Sequence, residues 1–302
     1  MREPAPDLCG RTLNERPTPS INTDGQRASP ASSQPVMSNV AHPMFRSALI
    51  CLCLFLLAPP VARSEDTDLG RIFSEAGVTG TIVIAPLHEG EAFVHDEGRS
   101  RRKFPVASTF KILNTLIALE EGTIADGDTF TWDGVAREVP GWNGDQTLDS
   151  AFRLSCVWCY QALARRVGAA KYQRYLAATG YGELSAPFDE TAFWLDGSLR
   201  ISAAGQIEFL KAVHRRSLPF GTAAYETLRR IMRVEQTPQH GLWAKTGWAA
   251  RGDPGIGWYV GYVETTRGTW FFALNLDIRN PGDLPLRQKI AREALRAKGI
   301  IH

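Results

Sequence analysis

Strand-like sequence lies at both ends of this chain, with a long helix-like stretch between, and no other feature restricts the fold as strongly. Thr79 to Leu87 and Glu91 to His95 are apolar, β-branched runs joined by a His-Glu-Gly turn, which predicts a hairpin. From Asp149 to about Arg215 the pattern is helical, broken at Gly168, Gly180 and Gly197, and a further helix is predicted from Ala223 to Arg233. Strand signals return at Gly241 to Lys245, Gly257 to Glu264 and Thr269 to Asp277, separated only by short turns. A closing helix runs from about Leu286 to Lys298 and is rich in Arg and Lys near its end. Elements of this kind bury their apolar faces by stacking in layers. The expected fold is therefore α+β. A mainly antiparallel sheet draws strands from both chain ends, terminal helices (Asp66 to Ala76 and the closing one) flank one face, and a large helical insertion covers the other.

The stretch ahead of residue 65 has a different character. Residues 1–43 are rich in Pro, Ser, Asn and Arg, poor in aromatics and without amphipathic period, the composition of a disordered segment. Met44-Phe45-Arg46, an apolar run from Ala48 to Leu57 and the small-x-small sequence Ala62-Arg63-Ser64 have the anatomy of a secretory signal peptide, too short for a spanning helix. The expectation is a start at Met44 with 1–43 as an extension ahead of it, a signal peptide over 44–64, and an exported, periplasmic domain over 65–302. The alternatives are a long natural leader or an uncleaved anchor. Cys51 does not follow the small residue that a lipoprotein signal requires, so lipidation is not expected.

A net charge of +2 with scattered basic residues gives no reason to expect nucleic acid or a stable membrane partner. The composition leaves monomer and homodimer open. After cleavage only Cys156 and Cys159 remain. Their Cys-x-x-Cys spacing sits in an apolar helical segment with no preceding strand, so buried thiols, bridged or not, are expected rather than redox chemistry. His42, His88, His95, His214, His240 and His302 show neither His-x-His nor His-Glu-x-x-His spacing, and no metal is expected.

The chemistry gathers around Pro105-Val106-Ala107-Ser108-Thr109-Phe110-Lys111-Ile112-Leu113. Apolar residues recur at Phe110, Leu113, Leu116, Ile117 and Leu119, so Ser108 begins a helix and Lys111 follows on the same face. A serine hydroxyl is a weak nucleophile until a base takes its proton. A lysine made neutral by burial among Phe110, Ile112 and Leu113 can be that base. The free N–H groups of the helix start offer part of an oxyanion hole. On its own, Ser-x-x-Lys is a weak signal.

Further motifs strengthen it. Ser155-Cys156-Val157 opens an apolar helix, Phe193-Trp194-Leu195 precedes Leu199-Arg200-Ile201-Ser202, and Lys245-Thr246-Gly247-Trp248 lies on a late strand. Ser-x-x-Lys, a second serine and Lys-Thr-Gly in that order are the signature of penicillin-recognising serine enzymes. With Ser-x-Val where class A enzymes have Ser-Asp-Asn, the sequence resembles the class D β-lactamases, the oxacillinases. The resemblance covers about residues 67–300, Leu284-Pro285-Leu286-Arg287 included.

The resemblance implies a serine β-lactamase/DD-peptidase-like fold and hydrolysis of β-lactam antibiotics, with antibiotic resistance as the consequence. It makes Ser108 the nucleophile, Lys111 a base carboxylated on its amine (N6-carboxylysine) by carbon dioxide or bicarbonate, and Ser155 a proton relay. Val157 and Trp194 would form the lysine pocket. Lys245, Thr246 and Arg287 would hold the substrate carboxylate beside Gly247, and the backbone of Ser108 and Trp248 would form the oxyanion hole. No other cofactor is implied. Where the family usually has Tyr-Gly-Asn this chain has Tyr181-Gly182-Glu183, which bears on substrate preference rather than catalysis. Singly, Ser155 reads as a helix cap, Lys245-Thr246-Gly247 as a strand end, Trp194 and Trp248 as core aromatics and Arg287 as a surface charge. Together they do not. The rivals are a D-Ala-D-Ala-processing penicillin-binding protein, with long-lived acyl adducts, and a β-lactam sensor domain, which needs spanning helices.

Overall fold

The computed structural model describes residues 66–302; the readings made for 1–43 and 44–64 lie outside them. The main sheet has six strands, every neighbouring pair antiparallel. In spatial order they are Phe93–His95, Gly80–Pro86, Gly268–Ile278, Gly255–Thr265, His240–Ala249 and Arg233–Gln236. Both chain ends thus build one sheet. The N-terminal strand Gly80–Pro86 lies beside the last strand, with Gly80 opposite Leu276 and Pro86 opposite Trp270.

Successive side chains on a strand face opposite ways, which splits the interior into two cores. Ile82 and Ile84 point toward the terminal helices Thr67–Ala76 and Leu286–Ala297, where Leu69, Phe73, Ile290 and Leu295 meet them. Val83 and Ala85 point the other way, into a larger core with Phe110, Leu113, Tyr160, Trp194 and Trp258. Asp66 caps the first helix through Leu69 N at 3.2 Å, and Lys298 from the last helix's end reaches Asp66 at 2.6 Å and Asp68 at 3.0 Å. The central strands extend beyond their predicted limits because both of their faces are buried. Apolar residues then run on without alternation and the pattern gives no boundary.

The helical middle departs from the expected pattern in two places. Residues 148–179 form the helices Leu148–Arg153, Val157–Val167 and Ala169–Thr179, but Gly180 does not simply interrupt a helical run. Glu183–Leu184 and Leu199–Ile201 pair with each other, and Leu199–Ile201 pairs with Phe104–Pro105, in a small second sheet. The helix expected over Ala223 to Arg233 spans Thr222–Met232, and Arg233 opens an edge strand. Segments of two to four residues are too short to show any period. The second sheet is where the nucleophile segment is anchored, since Phe104 lies opposite Ile201 and Trp258 Nε1 donates to Pro105 O at 2.8 Å.

Candidate active site

Ser108 sits on a single turn of 3₁₀ helix, Ala107–Phe110, that runs directly into the helix Lys111–Glu120. Ala107 has φ +48°, rare for a residue with a Cβ, so the backbone turns sharply just ahead of the serine. Gly247 lies against this turn. A Cβ there would stand 3.2 Å from Thr109 Cγ2 and 3.3 Å from Thr109 N, so glycine lets the strand and the serine turn approach. Lys111 is completely buried, and its Nζ donates to Ser108 Oγ at 3.0 Å. Burial brings its pKa down from 10.5 to about 7, so a large share of the amine is neutral near neutral pH.

Tyr160 closes the lysine pocket: its ring centroid lies 4.9 Å from Lys111 Nζ and its hydroxyl shares a 2.7 Å hydrogen bond with Thr115. Half-buried Val157 stands one turn before it, at the start of the same helix. Trp194 is fully buried, stacks on Phe110 at 5.9 Å, and its indole N–H has no acceptor among the described residues.

Ser155 lies in the turn between the helices Leu148–Arg153 and Val157–Val167 with φ +57°; the cap of the second helix is Cys156, so Ser155 does not serve as one. Its hydroxyl accepts a hydrogen bond from Lys245 Nζ, which also donates to Thr246 O at 3.1 Å. Lys245 is 4 % exposed, lies 5.5 Å from the Phe152 ring, and is held well below the ordinary lysine pKa by burial, then by Lys111 and Arg287. Cys156 and Cys159 are joined by a disulfide, which resolves the question left open by the sequence.

Arg287 comes from the terminal-helix layer. Its Nε donates to Leu284 O and its Nη1 to Gly247 O, both at 2.7 Å, which leaves Nη2 for a ligand. The side chain passes over Gly257, where a Cβ would come within 2.8 Å of Arg287 Cδ. Burial lowers its pKa to about 10. No carboxylate of the described residues figures among the groups that shift Lys111, Lys245 or Arg287. Arg287 keeps its charge near neutral pH and, with no carboxylate partner among the described residues, suits an anionic ligand beside Lys245.

The edge strand Arg233–Gln236 pairs with its neighbour only as far as Trp243, so from Ala244 onward the strand has no outer partner among the described residues. Beside Lys245 and Thr246 this edge opens on a cavity of about 260 Å³ lined by Phe152, Ile231, Met232, Tyr259 and Gln288. Trp248, 40 % exposed, stands at the far end of the strand. Glu183 is on the surface and pairs with Lys103 at 2.7 Å, two residues before Pro105.

The structure therefore gathers Ser108, Lys111, Ser155, Lys245, Gly247 and Arg287 through direct hydrogen bonds or packing, with Trp194 stacked on Phe110, Val157 at the start of the Tyr160 helix, and Thr246 and Trp248 on the strand. Tyr160 and Phe152 are the residues that motif reading passed over. Tyr160 was within reach of it, three residues after Val157 on the same helical face; Phe152 carries no such mark. Among the described residues no helix is long and apolar enough to cross a membrane, and no group of His, Cys, Asp and Glu is placed to hold a metal ion.

Known proteins resemble this chain over most of its length. Residues 81–296 match the penicillin binding protein transpeptidase domain. The chain is 36 % identical to the β-lactamase OXA-48 of Klebsiella pneumoniae, across 84 % of this chain and 97 % of that one. It is 41 % identical to the β-lactamase OXA-2 of Salmonella typhimurium, across 77 % and 85 %. The crystal structure of the class D β-lactamase YbXI from Nostoc superposes with a TM-score of 0.75 at 42 % identity, covering 77 % of this chain and 99 % of that one. FUS-1 (OXA-85) from Fusobacterium nucleatum gives 0.76 at 34 %, covering 79 % and 100 %. With a transpeptidase-type domain, a buried lysine beside the serine and relatives of this identity over most of its length, the chain belongs to the class D serine β-lactamases.

Proposed function

We propose that this chain opens the rings of β-lactam antibiotics through an acyl-enzyme on Ser108, with Lys111 carboxylated on Nζ as the base in both steps. One observation carries the reading: a fully buried lysine with no acid to pair with among the described residues, 3.0 Å from the serine hydroxyl. Only a neutral amine adds to carbon dioxide, forming the N–C bond and releasing a proton, and burial is what keeps this amine neutral. The residues fit the product, because the buried Trp194 N–H lacks an acceptor that a carbamate oxygen would provide. In that form the group supplies an oxygen base to draw the proton from Ser108 and later from water.

The remaining work falls to the chain's own side chains. Ser108 Oγ attacks the lactam carbonyl, the ring C–N bond breaks, and Ser155 passes a proton to the departing nitrogen. Lys245 holds the Ser155 hydroxyl from the other side. Lys245, Thr246 and the free Nη2 of Arg287 hold the substrate carboxylate. The N–H groups of Ser108 and Trp248 receive the oxyanion. The unpaired strand edge beyond Trp243 offers its backbone to the substrate's amide, as sheet edges do for extended ligands. The same reading takes 44–64 as a signal peptide removed on export to the periplasm and 65–302 as the mature catalytic domain.

The test is turnover of a chromogenic cephalosporin by the mature chain, which should rise when bicarbonate is added to degassed buffer. Carbon-13 bicarbonate should give a carbamate resonance that Lys111→Ala lacks, and Lys111→Ala should accumulate an acyl adduct visible by mass spectrometry. Clean turnover by that variant sinks the assignment of the base.

A further inference from the structure

The Cys156–Cys159 disulfide lies inside the site, in a place where it does little for the fold as a whole. Stabilisation by a cross-link grows with the length of chain it closes, and a bridge between residues three apart is at the bottom of that range. Both cysteines are completely buried, which also removes them from the exposed, reactive setting that a dithiol oxidoreductase needs.

The bridge does lie between the two residues that meet the two lysines. On its N-terminal side is Ser155, bonded to Lys245. On its C-terminal side is Tyr160, whose ring covers Lys111 at 4.9 Å. Ser155 holds φ +57° in a turn without glycine, a conformation that a residue with a Cβ keeps only when its surroundings impose it. Cys156 follows directly. Its N–H is fixed to Ala151 O at 2.8 Å, and its sulfur accepts from Cys159 N at 3.3 Å as the cap of the Val157–Val167 helix. First turns of helices fray, and a covalent tie across this one prevents it.

We propose that the disulfide is a positioning brace for catalysis: it holds Ser155 in its left-handed conformation against Lys245 and so sets the proton relay to the leaving nitrogen. The inference rests on the role given to Ser155 above. Misplacement of a relay by an ångström or less costs rate without costing the fold.

The experiment compares the mature chain with Cys156→Ala/Cys159→Ala, each also in a Ser155→Ala background. Without the bridge, kcat/KM for a chromogenic cephalosporin should fall about tenfold or more through the acylation step, while near-UV circular dichroism stays native. In the Ser155→Ala background, removing the bridge should cause no further fall. Undiminished kcat/KM in the bridge-free chain overturns the brace alone, and so does an equal further fall in the Ser155→Ala background. Normal turnover by Ser155→Ala itself overturns the relay assignment and the brace with it.

Should the double alanine variant fold poorly, the unmodified chain can be denatured and refolded in dithiothreitol. The reductant closes to its cyclic disulfide while Cys156 and Cys159 take up its two electrons and two protons. Two titratable thiols per mature chain, a native spectrum and the same loss of rate are expected. Failure to regain the native spectrum in both bridge-free forms makes the bridge a fold determinant and overturns the proposal.

Discussion

Replacing Lys111 with methionine should make the chain more stable and leave it without turnover. Methionine is close to lysine in length, carries no charge and adapts to irregular gaps, so the pocket around Phe110 and Tyr160 can accept it. Burial takes the Lys111 pKa from 10.5 to about 7. At about 1.4 kcal/mol per unit, keeping this lysine inside costs the folded state roughly 5 kcal/mol at pH 7 and below. The Tyr160 ring face returns part of that cost.

The sign follows from proton counts. Between about pH 7 and about 10.5 the unfolded lysine carries a proton that the folded one lacks, so the parent's unfolding free energy rises by about 1.4 kcal/mol per pH unit. The methionine variant has no such rise. Its advantage is therefore complete below about pH 7, shrinks by about 3 kcal/mol between pH 7 and pH 9, and vanishes above about 10.5. Urea denaturation of both proteins in carbon-dioxide-free buffers across this range measures the difference directly. A variant no more stable than the parent at pH 7, or an advantage that does not change with pH, refutes the argument from burial. Added bicarbonate should raise the midpoint of the parent and not that of the variant.

Other expectations can be checked alongside. Turnover should decline as pH falls below about 7, where the Lys111 amine takes up its proton and no longer adds carbon dioxide; a flat profile down to about pH 5 would contradict this. Arg287→Ala should lower kcat/KM by about tenfold to a hundredfold, chiefly through KM, the range for loss of a charge-assisted bond to the substrate carboxylate. Gly257→Ala should show the same KM phenotype in milder form, because its new methyl would meet Arg287 Cδ at 2.8 Å. Glu264 offers a control away from the cleft. Burial alone would raise its pKa, but His214 at 3.1 Å and Arg229 at 2.6 Å outweigh it and bring the value to about 2. Its contribution is present above the ordinary carboxylate pKa and lost as pH falls toward 2. After screening by solvent, Glu264→Gln should remove roughly 1 kcal/mol of acid-sensitive stability and leave turnover unchanged.

The layered fold and five of the main sheet's six strands were legible because long strands and amphipathic terminal helices announce themselves by composition and period; the edge strand Arg233–Gln236 was too short to do so. Ser108 and Lys111 were legible because helical spacing turns three residues of sequence into one turn of contact. The left-handed residues were not: Ala107 and Ser155 occupy a region usually marked by glycine, and no glycine at either position announces it. The small sheet that anchors Pro105 escaped for a related reason, since its strands are two or three residues long and their pairing spans nearly a hundred positions. The bridge between Cys156 and Cys159 depends on how tightly one helical turn is wound, which spacing alone does not determine.

Two interiors separated by one sheet are not equally constrained. Of the side chains drawn into the cleft, Arg287 and Gln288 belong to the layer of terminal helices. Changes around Leu69, Phe73, Ile290 and Leu295 can accumulate there with little bearing on the reaction. A lineage gaining new drug substrates through destabilising changes on the Ser108 side has, on the opposite side, a reserve of compensating substitutions that hydrolysis assays would not register.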